Sequence, residues 1–194
     1  DSRKILFPSS TLFFTIPGPR RQGNAFVKDL YSKGVKNFVV DKSFVFLADD
    51  YPDANIILVQ NVLAALQQLT AYHRSKFSIP VIGITGSNGK TTTKELIRNV
   101  LAKKFNVHAT KGNLNNHIGV PLTLLSIPAK TNFAVIEMGA NHQKEIEFLC
   151  SIAMPDYGLI TNVGKAHLEG FGGFEGVKKG KGEMYAHLNG QGRT

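Results

Sequence analysis

Short apolar runs alternate along the chain with stretches whose apolar positions recur every three to four residues, and the texture changes near residue 77. Before that point TLFFTI, NFVVDK and NIILVQN are rich in β-branched and aromatic residues and predict three strands. Between the first two, NAFVKDLYSKG has helical spacing and ends on Gly34, a residue that caps helices without steric cost. Residues 62–76, VLAALQQLTAYHRSK, put Val62, Leu66, Leu69 and His73 on one helical face, so an amphipathic helix should lead out of a small α/β domain, with His73 at its surface. The expected boundary lies between residues 76 and 77. Beyond it, strands are expected at 80–85, 105–110, 132–137 and 157–161, with helices starting at Lys90, at Pro121, after the turn that follows Glu137, and at Phe174. Strands that alternate with helices predict a parallel sheet whose carboxyl edge holds ligands. The fold class is therefore α/β: a small N-terminal α/β domain over 1–76, then a larger parallel-sheet domain over 77–194.

Composition narrows the classes of function. At 194 residues and 42% hydrophobic content the chain can bury a sizeable core. It has neither a long apolar run nor a signal-peptide pattern, so a soluble, cytoplasmic protein without a membrane span is expected. Cys150 is the one cysteine, which excludes an internal disulfide and a cysteine-cluster metal site. Set in EIEFLCSIA, it reads as a buried helix residue. The net charge of +9 would suit nucleic acid, but Lys90, Lys165 and Lys181 fall inside phosphate-site motifs, and Lys94, Arg98, Lys103 and Lys104 read as the solvated face of one helix. No nucleic-acid partner is expected.

The chemistry centres on IPVIGITGSNGKTTTKEL. An apolar strand stops at a turn whose Gly86 and Gly89 permit backbone angles that offer successive N–H groups to an anion, and a helix restarts at Lys90. That is a phosphate cradle: Gly86, Ser87, Asn88, Gly89, Lys90, Thr91 and Thr92 would hold the nucleotide, with the Thr91 hydroxyl placed to ligate magnesium. Ile84 stands where the strict P-loop pattern has its first glycine. Glu137 closes the 132–137 strand, where a second magnesium-binding group belongs. The asparagines of KGNLNNHIGVP favour a loop that binds local backbone or a ligand. In PGPRR, Arg20 and Arg21 are either a solvated turn or a grip on a diphosphate.

The form TGSNGKTT, taken with GNLNNHIGVPLTLL, EMGANHQKEI, NVGKAHLEGFG and KGKGE, resembles the central ATPase domain of the Mur ligase family. The opening DSRK is similar to the N-terminal domain of those enzymes, which holds the uridine nucleotide end of the substrate, although near Asn24 the family more often has a histidine. The resemblance implies an ATP- and Mg2+-dependent ligase. The versions with GANHQ and AHLEGFG are similar to the branch that joins D-alanyl-D-alanine to UDP-N-acetylmuramoyl-tripeptide through an acyl phosphate. It further implies that Lys90, His167 and Lys181 are catalytic, and that Thr91, Glu137, His167 and Lys181, the last as a carbamate, hold metal. Ser2, Arg3, Asn113, Asn115 and Asn116 would face the substrate. A monomer is implied, a fusion to alanine racemase is admitted, and a third domain beyond this chain would be needed for activity. Another Mur ligase, a folylpolyglutamate synthase or a non-catalytic nucleotide-binding module are the rival readings.

Overall fold

The computed structural model describes residues 5–18 and 22–192, which form two compact units, 1–66 and 67–194. In the first unit β1 (Leu12–Phe14), β2 (Asn37–Asp41) and β3 (Asn55–Val59) form a parallel sheet in the order β1-β2-β3. A 3-10 turn (Gly23–Phe26) runs into α1 (Val27–Ser32), so the helix expected from residue 24 tightens at its start. The central strand is the most buried, because Phe38, Val39 and Val40 meet side chains on both faces, and Phe38 and Val40 join Val27, Leu30 and Val35 in the core.

Helix α2 (Val62–Ser75) begins in the first unit and ends in the second. The expected stripe of Val62, Leu66, Leu69 and His73 is rotated by one position: Leu69 is exposed, while Val62, Leu66, Thr70 and Arg74 are buried in strict i, i+4 steps. His73 lies half-buried against the Phe77 ring rather than at the surface. Arg74 explains both the rotation and a division of the chain earlier than residue 77. Its guanidinium donates to the carbonyls of Ala153 (2.9 Å), Met154 (3.0 Å) and Phe77 (2.8 Å) and pairs with Asp156 at 3.4 Å, fixing the end of α2 to the second unit. Arg74→Ala should cost about 3 kcal/mol or more, since it strands carbonyls and a carboxylate together. Urea unfolding followed by circular dichroism measures it.

The second sheet holds β4 (Val81–Thr85), β5 (Val107–Ala109), β6 (Phe133–Glu137) and β7 (Tyr157–Ile160), all parallel, in the order β5-β6-β4-β7. The four strands fall where the apolar runs put them. From β4 the chain crosses through α3 (Lys90–Leu101) to the far edge at β5, then returns through α4 (Gly119–Leu125) to β6 and through α5 (Glu145–Ala153) to β7. Crossovers of one hand running in opposite directions lie on opposite faces, so α3 covers one face and α4 and α5 the other. Helix α7 (Phe174–Gly190) packs on α5 and β7, enclosing Met138, Ile146, Leu149, Phe171, Val177 and Met184. Cys150 is buried in this core as expected, and burial pushes its thiol up to about 12, where it is no nucleophile.

Candidate active site

The segments that leave β4, β5, β6 and β7 converge at the carboxyl edge of the second sheet. After β4, Gly86 takes φ 141°, and a Cβ there would sit 2.0 Å from the Thr161 hydroxyl, so only glycine fits. Gly89 is left-handed at φ 78° and starts α3. The turn is braced from the β7 side: Asn162 accepts the N–H of Ser87 through its carbonyl (3.1 Å) and that of Asn88 through Oδ1 (3.0 Å), and the Gly164 N–H donates to the Ser87 hydroxyl (2.9 Å). Ser87 and Asn88 therefore spend on Asn162 the N–H groups that the sequence assigned to a phosphate. The first intrahelical bond of α3 is Thr93 N–H to Gly89 (2.9 Å), which leaves the donors of the helix's first turn, with its positive dipole end, available to an anion.

Lys90 lies half-buried over the turn and donates to the carbonyls of Gly86 (2.7 Å) and Ser87 (3.2 Å). Burial lowers its pKa, with the charge of Glu137 opposing. One helical step on, the Thr91 hydroxyl donates to Glu137 Oε2 at 2.9 Å, and Asn115 Nδ2 donates to Oε1 at 2.8 Å. The buried carboxylate that ends β6 is thus aimed by an alcohol and an amide. Hard oxygen donors set this close, beside a helix N-terminus, suit a magnesium ion carried by a polyphosphate. Among the described residues no three histidine, cysteine or acidic side chains cluster as a metal site, so the donors would have to include Thr91 and phosphate oxygens.

A cavity of about 330 Å³ opens beside this pair, lined among others by Gly86, Lys90, Asn115, Asn116, His167 and Lys181. The sequence reading brought all six forward. His167 reaches it from a left-handed position (φ 55°) that caps a short helix, α6 (Leu168–Phe171), inside what reads from sequence as a glycine-rich loop. Asn116 lines the cavity, but its Oδ1 accepts the N–H groups of Ile118 (3.1 Å) and Gly119 (2.9 Å), so one of its amide atoms holds the entry to α4. Asn113 and Thr92 are exposed and absent from the wall. Ser2, Arg3, Arg20 and Arg21 lie outside the described residues.

Residues that the sequence did not single out complete the wall. Asn141, Glu145 and Phe148 come from the β6-to-α5 connection and from α5 itself. The Glu145 carboxylate accepts the N–H groups of Asn141 (2.6 Å) and His142 (3.1 Å), and Glu183 on α7 accepts those of Lys144 (2.6 Å) and Glu147 (3.1 Å). Two glutamates thereby fix the loop that faces Lys181. Glu145 opens α5 and bonds the N–H groups three and four residues before it, a local capping signal, whereas Glu183 stands midway along α7 and carries no such signal.

Lys181 is 1% exposed, and its ammonium stands 5.2 Å from the Phe171 ring centroid. Burial first, then the Lys90 charge, lower its pKa to about 8 against the pull of Glu145 and Glu183. The unfolded chain protonates this amine below about 10.5, the folded one only below about 8, so folding loses stability as pH falls across that window and no further below it. In carbon-dioxide-free buffer Lys181→Met should accordingly be the more stable protein near neutral pH, by on the order of 3 kcal/mol at most, and the gap should close as pH rises toward 10.5. Paired urea titrations across that range read it.

The family model described as Mur ligase middle domain matches residues 84–194. The chain is 41% identical over 184 residues to the UDP-N-acetylmuramoyl-tripeptide–D-alanyl-D-alanine ligase of Bacillus subtilis, a match covering 95% of this chain and 39% of the relative. It is 38% identical over 188 residues to the Escherichia coli ligase of that name, covering 97% and 40%. Among solved structures, MurF from Acinetobacter baumannii matches with a TM-score of 0.87 at 36% identity, covering 96% of this chain and 40% of that one. MurF from Thermotoga maritima, solved in complex with ADP, matches at 0.85 and 34% identity, covering 96% and 42%. The chain spans about 40% of the length of the curated relatives it matches.

Proposed function

Because the chain belongs to the Mur ligase family, we propose that it carries the substrate-holding and nucleotide-binding parts of an enzyme that uses ATP to join D-alanyl-D-alanine to UDP-N-acetylmuramoyl-tripeptide. The observation that carries the reading is the single cavity where a P-loop lysine, an asparagine loop, His167 and Lys181 meet. Residues 1–76 would hold the uridine nucleotide end of the acceptor and residues 77–194 the ATP.

The acceptor carboxylate takes the γ-phosphoryl group of ATP to give an acyl phosphate and ADP; the dipeptide amine then displaces phosphate and closes the amide. Such a transfer asks for positioning and charge neutralisation rather than covalent help from side chains. Lys90 and the first turn of α3 hold the phosphates. Thr91 and Glu137 would ligate magnesium, whose charge offsets that of the phosphate oxygens, and His167 would help with a second ion. An ammonium at Lys181 would repel such ions. We propose instead that Lys181, buried and with a pKa drawn down to about 8, reacts as the free amine with carbon dioxide, forms an N–C bond, releases one proton to solvent and presents a carbamate oxygen. Asn115 and Asn116 orient the acceptor. No helix of the described residues is long and apolar enough to cross a membrane, and we place the reaction in the cytoplasm.

The test is product analysis with the full-length protein, ATP, magnesium, UDP-N-acetylmuramoyl-tripeptide and D-alanyl-D-alanine. The expected result is one dipeptide added per ADP formed. Transfer of glutamate to a folate would move the protein to the folylpolyglutamate synthase branch, and nucleotide binding without transfer to any acceptor would leave a non-catalytic module.

A further inference from the structure

Lys94, Arg98, Lys103 and Lys104 read from the sequence as one solvated helix face. The structure corrects this for Lys94. Arg98 is 46% exposed and pairs with Glu95 at 3.1 Å, whereas Lys94 is fully buried. An ammonium has three donors, and those of Lys94 are occupied: its Nζ lies 2.6 Å from the Thr110 carbonyl, 3.0 Å from Glu95 Oε1 and 3.4 Å from the Gly112 carbonyl. Glu137 Oε2 is 4.0 Å away. Two of these partners belong to the segment that enters the asparagine loop. That segment is also tied to β6, because Thr110 Oγ1 accepts the Glu137 N–H at 2.9 Å. Farther along, Asn115 returns to the same strand end, where its carbonyl accepts the Gly139 N–H at 2.7 Å and its amide reaches Glu137 Oε1 at 2.8 Å.

We propose that Lys94 is a positioning residue that clamps the asparagine loop, residues 110–116, to the P-loop helix and to the end of β6. On the reading of the cavity given above, the clamp sets where Asn115 meets the acceptor relative to the phosphates held by Lys90. Burying a lysine is costly, and a space-filling role would be served by leucine or methionine without that cost. The arrangement of the partners gives the cation its use: the carbonyls of Thr110 and Gly112 belong to the loop segment beyond α3, while Glu95, on α3 itself, offsets the buried charge.

The clamp is tested by amide hydrogen exchange on the full-length protein, comparing wild type with Lys94→Met and with the surface control Arg98→Ala. Leu114, Asn115 and Gly139 donate N–H bonds within or onto the loop, while Met138 donates to the Ile84 carbonyl across the neighbouring sheet edge. Lys94→Met should lower protection at the first three at least tenfold and leave Met138 within twofold, with Arg98→Ala changing none of them. In turnover assays KM for the acceptor should rise at least tenfold while KM for ATP stays within twofold, and Lys94→Arg should recover most of both effects. A uniform loss of protection that includes Met138 would mean that Lys94 only stabilises the fold, and unchanged protection would mean that the loop holds itself; either result overturns the clamp. If the methionine variant fails to fold, Lys94→Gln takes its place, with a loss of at least threefold confined to the same three amides. Should wild type bind no nucleotide, the ligase reading fails while the exchange comparison still decides the clamp.

Discussion

Lys90→Ala is expected to lower ATP-dependent turnover of the full-length protein by about 10²- to 10³-fold, the usual cost of deleting one preorganised charge from a transfer site. Little in the fold opposes this separation of activity from stability. The Lys90 ammonium makes its hydrogen bonds to two carbonyls of its own loop, Gly86 and Ser87, and the half-buried groups left behind should cost no more than about 1.5 kcal/mol. The brace from Asn162 to Ser87 and Asn88 holds the turn independently of the lysine. A coupled phosphate-release assay gives the activity, ADP calorimetry the affinity and thermal unfolding the stability. Turnover within twofold of wild type would remove the phosphate site from Lys90.

Glu137→Gln should produce the second largest loss, on the order of a hundredfold in magnesium-supported turnover. Glutamine keeps the volume and removes the charge. It also presents an NH2 group where Asn115 and Thr91 already donate and Lys94 stands near, so one donor must turn away and the carboxylate's aim is lost with its charge. ADP affinity measured without magnesium should stay within about threefold, less than the roughly 1 kcal/mol of one neutral hydrogen bond, whereas the gain in affinity on adding magnesium should disappear. A nucleotide-binding module with no chemistry to perform would tolerate the change.

The strands were legible because each is a short β-branched run bounded by polar turns, and the P-loop because Gly86, Gly89 and Lys90 have no common alternative use in that spacing. Four features were not legible, each for a physical reason. Lys94 shares the i, i+4 spacing of Lys90 and Arg98, and sequence spacing does not say that the carbonyls of Thr110 and Gly112 approach from another strand. The rotation of α2 follows from Arg74, whose partners Ala153 and Met154 lie about eighty residues away. Helix α6 is a single turn held by a left-handed histidine, too short for any period to register. Of the glutamates that fix the β6-to-α5 loop, Glu145 follows a local capping pattern, but Glu183 caps a helix other than its own, which only the packing of α7 on α5 reveals.

The walls of the cavity are drawn from four successive strand-to-helix connections and closed by Lys181 on α7, with β7 pairing back to β4 across most of the unit's sequence. Pairings between segments so far apart in sequence close slowly, because loop entropy is lost before any contact compensates it. During synthesis, a ribosome that has released the P-loop has therefore made the motif but not the site. Nucleotide should gain a hold only after α7 has cleared the exit tunnel, so in a refolding chain a fluorescent ATP analogue would brighten with the last phase of sheet closure and not with the formation of α3.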